Sequence, residues 1–150
     1  MNRKVERVKE FLKQYETSFK IVEECAEQIM LLKQKQMAAG SPNLDGMPKG
    51  NNHIDLSDYI VRLELLIEEY EKKRDKERAI MHQVKKTIDS VYDRIDREIL
   101  SHKYIDFMTF KEIAEYMSSG GAEITTNAVY KRHDKACERI EAWKQKQKER

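Results

Sequence analysis

Little in this sequence can break a helix. It holds five Gly and two Pro, and three of the Gly and both Pro fall within residues 39–53. Pro cannot continue a helix and Gly weakens one, so the stretches outside that segment are free to run as long helices. A turn-rich sheet protein needs more of both. Cysteine is nearly absent: Cys25 and Cys137 stand 112 positions apart and match no metal-ligand spacing. They are expected as free, packed thiols in a reducing cytosol rather than as a disulfide framework. No apolar run approaches the roughly 18 residues of a membrane span. The opening MNRKVERVKE carries no apolar core of a secretory signal, so neither membrane insertion nor export is expected. Chemistry is also thinly supplied. Four His are scattered, no carboxylates pair at a fixed spacing, and Gly120-Gly121 has neither a strand before it nor a Lys-Ser/Thr after it. No metal, cofactor or catalytic nucleophile is expected.

What the chain does have is charge and helical period. Charged residues make up 37% and the hydrophobic class 39%, the balance of long solvated helices with apolar stripes. In the first segment Val5, Val8, Leu12, Tyr15, Phe19, Val22, Ala26 and Ile29 step alternately by three and four, a heptad seam. Phe11, Ile21, Met30 and Leu31 widen it. A helix over 3–38 would be about 50 Å long at 1.5 Å per residue. The loop expected over 39–54 follows, with Asp55 or Ser57 as the cap of the next helix. From there Ile60, Leu63, Ile67, Tyr70, Arg74, Glu77, Met81, Val84 and Ile88 repeat the same steps, and Val91 and Ile95 extend them. Two seams joined by one loop predict an antiparallel helical hairpin over residues 1–87. Pairing with a second copy through the same residues would leave the same pattern, so a homo-oligomer through the N-terminal helices stays open.

Residues 88–150 read differently. The cluster Asp89, Ser90 and Asp93 supplies helix-start chemistry where the apolar phase shifts, which places a junction there, with one helix continuous into the next unit as the alternative. A helix over 91–104 would turn Ile95, Ile99, Leu100 and Tyr104 inward. Thr109 with Glu112 three residues on forms a capping box for a helix over 110–117, with Ile113, Ala114 and Met117 on its inner face. After the turn SSGGAEI, Thr125 or Thr126 caps a last helix whose inner face is Val129, His133, Ala136, Ile140 and Trp143. Charge is segregated along this part: residues 87–125 sum to −4 and residues 126–150 to +4. A basic last helix after a short turn suits the major groove of DNA. Thr126, Asn127, Tyr130 and Lys131 then fall where base edges are read. Thr109, Lys111, Arg132, Lys135 and Arg139 are expected at phosphates. The plain alternative is a three-helix bundle with a solvated basic face.

The stretch REILSHKYIDFMTFKEIAEYM together with ITTNAVYKRHDKACERI resembles the fourth, promoter-reading region of the sigma-70 family. The marks are Arg97-Glu98-Ile99-Leu100, Tyr104, the block from Thr109 to Ala114, and Val129, Arg132 and Ala136. The turn at SSGGAE is longer than in that family, and His133 stands where an aliphatic residue is usual. Nothing else in the chain looks like a sigma factor. The whole layout, with Met47-Pro48-Lys49-Gly50 in its loop, is similar to the ArpU/RinA-type and related sigma-like phage regulators. That resemblance implies an all-α activator of late phage genes, acting on double-stranded DNA in the cytoplasm of a bacterial host, with host RNA polymerase as a further partner.

Two other function classes fit the same elements. A small-terminase-like packaging protein also joins such a DNA-binding unit to a helical hairpin, which there builds a ring. A polymerase-binding mimic of DNA is a third, and the +4 of the last segment argues against it.

Overall fold

In a computed structural model of the chain, residues 3–39 and 52–149 are described, and the SPNLDGMPKG segment with Lys49 lies outside them. The described residues are helical, with no strand among them. Helix α1 spans Arg3–Ala39, α2 Asn52–Asp89, α3 Arg94–Tyr104, α4 Phe110–Met117 and α5 Thr126–Lys148. Asp55 and Ser57 therefore fall inside the first turns of α2 rather than capping it, because helical backbone already begins at Asn52.

The chain forms two compact units. One is residues 1–18 with 80–150, the other residues 19–79. The division differs from the expected 1–87 and 88–150, and the reason lies in the apolar contacts. Val5, Val8 and Leu12 of α1 and Val84 and Ile88 of α2 share one core with Leu100, Tyr104, Ala136, Cys137 and Ile140. The start of α1 and the end of α2 thus belong with the C-terminal helices. A second cluster in the same unit holds Ile99, Ile113, Ala114, Met117 and Val129.

In the other unit Ile29 and Leu32 of α1 pack on Leu63 and Ile67 of α2, with Tyr70 at the edge. Later residues of α1 meet earlier residues of α2 there, as an antiparallel hairpin requires. Met30, Met37, Val61 and Leu65 of this unit stay exposed.

The seam of α1 departs from a strict heptad. Ser18 and Cys25 are buried where Phe19 and Ala26 were expected, Phe19 being half-buried and Ala26 exposed. An extra step of three between Tyr15 and Ser18 moves the inward positions from 19 and 26 back to Ser18 and Cys25, while Ile29 stays buried as expected. Such a step overwinds the seam, and it falls where α1 passes from one unit to the other.

The junction after α2 follows capping chemistry. Asp93 Oδ1 accepts from the backbone N–H of Ile95 at 2.9 Å and of Asp96 at 3.1 Å, so α3 starts at Arg94, not at 91. Arg97 Nη1 donates to the carbonyls of Val91 (2.9 Å) and Tyr92 (3.1 Å), tying the linker to α3. With this start, Asp96, Ile99, Leu100 and Tyr104 face inward, and Ile95 is exposed instead of buried.

The capping box of α4 is present in both directions. Glu112 N donates to Thr109 Oγ1 at 3.1 Å, and Thr109 N to Glu112 Oε1 at 3.3 Å. The Ser118 hydroxyl closes the turn before α5, donating to the Ile124 carbonyl (3.1 Å) and accepting from the Ile124 N–H (3.2 Å). Gly121 takes φ of +96° within that turn.

Thr125 caps α5 through Ala128 N at 3.1 Å. Val129, His133, Ala136, Cys137, Ile140 and Glu141 are its buried residues, and Trp143 is half exposed. A helix of 3.6 residues per turn drifts about 20° per heptad from a 3.5 repeat. That drift turns Glu141 inward and carries Trp143 out.

Candidate nucleic-acid interface

Of the nine positions expected to meet DNA, seven lie on α5 and two at the start of α4. Asn127, Lys131 and Lys135 are spaced by four, so they stack in one row on the outer face of α5; all three are exposed. Thr126 is exposed at the head of the same helix. Thr109 and Lys111 are exposed at the opening of α4, with the Thr109 hydroxyl oxygen engaged in the cap. Among the described residues Lys111, Lys131 and Lys135 form no ion pair.

Tyr130 is more constrained than an outer-face position suggests. It is 45% exposed, but its ring stands edge-on to Phe110 at 5.4 Å and Lys9 Nζ lies 5.7 Å from its centroid. Lys9 in turn pairs with Asp134 at 3.3 Å and Glu6 at 3.4 Å. Burial works against the Lys9 ammonium, and the Asp134 carboxylate outweighs it, so the pKa is raised. Lys103 Nζ sits 4.4 Å over the Phe110 ring. The start of α1 thus meets the first turns of α5, and the end of α3 meets the first residue of α4, through cation–aromatic contacts. Nothing local in the sequence signals these partners, since Lys9 precedes Tyr130 by more than a hundred positions.

Arg132 and Arg139 are not free. Arg132 Nη1 donates to Asp96 Oδ1 at 3.1 Å and Asp93 Oδ1 at 3.4 Å, and Arg139 Nη1 to Asp96 Oδ2 at 3.3 Å. Burial raises the Asp96 pKa, and the two guanidinium groups oppose that rise.

Behind the outer row lies a buried polar group. His133 Nε2 is 2.6 Å from the Tyr104 hydroxyl and 3.8 Å from Cys137 Sγ, and Nδ1 is 3.0 Å from Asp134 Oδ1. Thiol, imidazole and carboxylate together are the parts of a nucleophilic site. Here burial pushes the Cys137 thiol up to about 12 and leaves the residue inaccessible. Tyr104 occupies the imidazole nitrogen that would take the proton. The cluster is a buried joint between α3 and α5, with no activated thiolate.

No group of His, Cys, Asp and Glu among the described residues could hold a metal ion. No described helix is long and apolar enough to cross a membrane. No protein-family model, curated protein or solved structure matches the chain.

Proposed function

We propose that the chain is a sequence-specific double-stranded-DNA-binding regulator of transcription, in which α4 and α5 form a helix-turn-helix and α5 is the reading helix. The observation that carries this is the row Asn127, Lys131 and Lys135, exposed along the first turns of a capped helix, with neither lysine drawn into an ion pair among the described residues. Asn suits the N6/N7 edge of adenine and Lys the O6/N7 edge of guanine. Lys135 and Lys111 supply phosphate contacts, with Thr109 beside them. The resemblance to sigma-like phage regulators adds activation of late genes, contact with host RNA polymerase and a bacterial cytoplasmic setting.

The test is enrichment of bound duplexes from a random library, followed by a salt titration on the enriched sequence. A defined motif bound with steep salt dependence is expected. Binding that ignores both sequence and salt overturns the proposal.

The exposed Met30, Met37, Val61 and Leu65 of the hairpin unit favour a second reading, a DNA-packaging protein that assembles through that hairpin. Solution mass separates the two. A closed ring of many copies supports packaging, and a monomer or dimer supports regulation.

A further inference from the structure

Asp96 is 4% exposed on the face of α3 that meets α5. One of its oxygens holds Arg132 and the other Arg139, at 3.1 and 3.3 Å. The two arginines are seven positions apart, two turns along one flank of α5. Their side chains reach the surface, 41% and 68% exposed. With Lys135 and the two carboxylates they line a cleft of about 180 Å³.

We infer that Asp96 withholds Arg132 and Arg139 from DNA phosphates, so that discrimination by the Asn127–Lys131 row is not swamped by backbone affinity. The inference rests on the DNA-binding reading above. A guanidinium offers one fork of donors, and carboxylate and phosphate compete for it with the same charge-assisted geometry. The phosphate stays solvated when it loses that competition, whereas the buried Asp96 carboxylate would be left unpaired in a poor solvent for charge. Asp96 therefore keeps both arginines. Non-specific binding comes almost wholly from phosphate contacts, each contributing about 0.9 to the slope of log K against log salt. Withholding two cations lowers that background more than it lowers specific binding. The pairing also fixes the rotation of α5 on α3, and successive residues differ by about 100°. Arg132 held inward on its flank leaves Lys131 facing out.

The experiment compares the full chain with Asp96→Asn on a library-enriched duplex and on a random one, across salt. The Asn side chain keeps the shape and removes the charge. The variant is expected to show a slope steeper by about one to two units. Its random-duplex affinity rises at low salt, and its specific-to-random ratio falls. Arg132→Gln and Arg139→Gln should leave the parent's slope unchanged and cancel the gain in the Asp96→Asn background. A purely structural role for Asp96 would not steepen the slope.

An unmoved slope in folded Asp96→Asn overturns the inference. So does a parent slope that each arginine substitution already flattens by about one unit. Were Asp96→Asn unable to fold, the arginine substitutions in the parent decide alone: a slope unchanged by Arg132→Gln and Arg139→Gln supports the inference, and a slope flattened by about one unit by each overturns it. A parent chain that binds no duplex at any salt overturns both this and the DNA-binding reading. Salt-dependent binding without the Asp96 effect overturns this one alone.

Discussion

The Tyr104 hydroxyl lies 2.6 Å from Nε2 of His133, with the two rings stacked at 5.6 Å and both residues buried. The Asp134 carboxylate can only accept, so Nδ1 of His133 carries the proton that bonds it and Nε2 accepts from Tyr104. This arrangement requires a neutral imidazole. Burial lowers the His133 pKa below the ordinary 6.5; Asp134 opposes the fall, and Lys9 and Lys103 add to it.

A pH dependence follows. Between the lowered folded value and 6.5, the unfolded chain binds a proton that folded His133 does not. Stability therefore rises with pH across that window. It is fully present above about 6.5 and is lost on acidification. Urea unfolding at pH 7.5 and 5.5 should show the loss in the parent chain and a smaller one in His133→Gln. Parallel curves for the two proteins would contradict the assignment.

The C-terminal unit is expected to need the first turns of α1. Leu12 is fully buried in the core that also holds Ala136 and Ile140. Leu12→Ala should cost about 2–5 kcal/mol. A fragment of residues 80–150 should lose cooperative thermal unfolding by circular dichroism. A fragment that melts as sharply as the whole chain would show that residues 1–18 are dispensable.

Base reading and phosphate binding should separate along α5. Asn127→Ala and Lys131→Ala are expected to lose about 1–3 kcal/mol on the enriched duplex, with little change on a random one. Lys135→Ala should weaken both alike and make the salt slope shallower by about one unit. Equal proportional losses for Lys131→Ala on the two duplexes would remove it from the reading row.

Gly120 and Gly121 offer a matched pair. A Cβ at either meets nothing within 4 Å, but Gly121 alone has positive φ, at +96°. Gly121→Ala should destabilise by about 1–2 kcal/mol through the left-handed backbone. Gly120→Ala should be neutral or slightly stabilising. Chemical denaturation of the two variants decides it.

What the sequence revealed depended on range. Capping is local chemistry, so the Thr109–Glu112 box, the Thr125 cap and the Asp89–Asp93 junction were legible. Helical phase was legible only over short runs. A strict 3.5 repeat misplaced Phe19 and Ala26 beyond the extra step in α1, and Trp143 where α5 drifts the other way. Ile95 was misplaced for a related reason, because it extended the phase of α2 across a break. Partner choice was not legible at all. Asp96 lies 36 and 43 positions from Arg132 and Arg139, and a solvated charge and a buried one look the same in a sequence.

The packing of Val5, Val8 and Leu12 against Ala136 and Ile140 also bears on how the unit comes into being. During synthesis the early α1 residues wait with their apolar face uncovered while some 130 positions of chain are made. Contacts of such separation are slow to close, because loop entropy is spent before they form. The outer row of α5 can be aimed only after that closure. Nascent chains stalled short of Ile140 would carry the α1 sequence with an unfinished core, open to chaperones and proteases. Under the DNA-binding reading proposed above, competence to engage DNA comes only after Ile140 has been made and this core has closed.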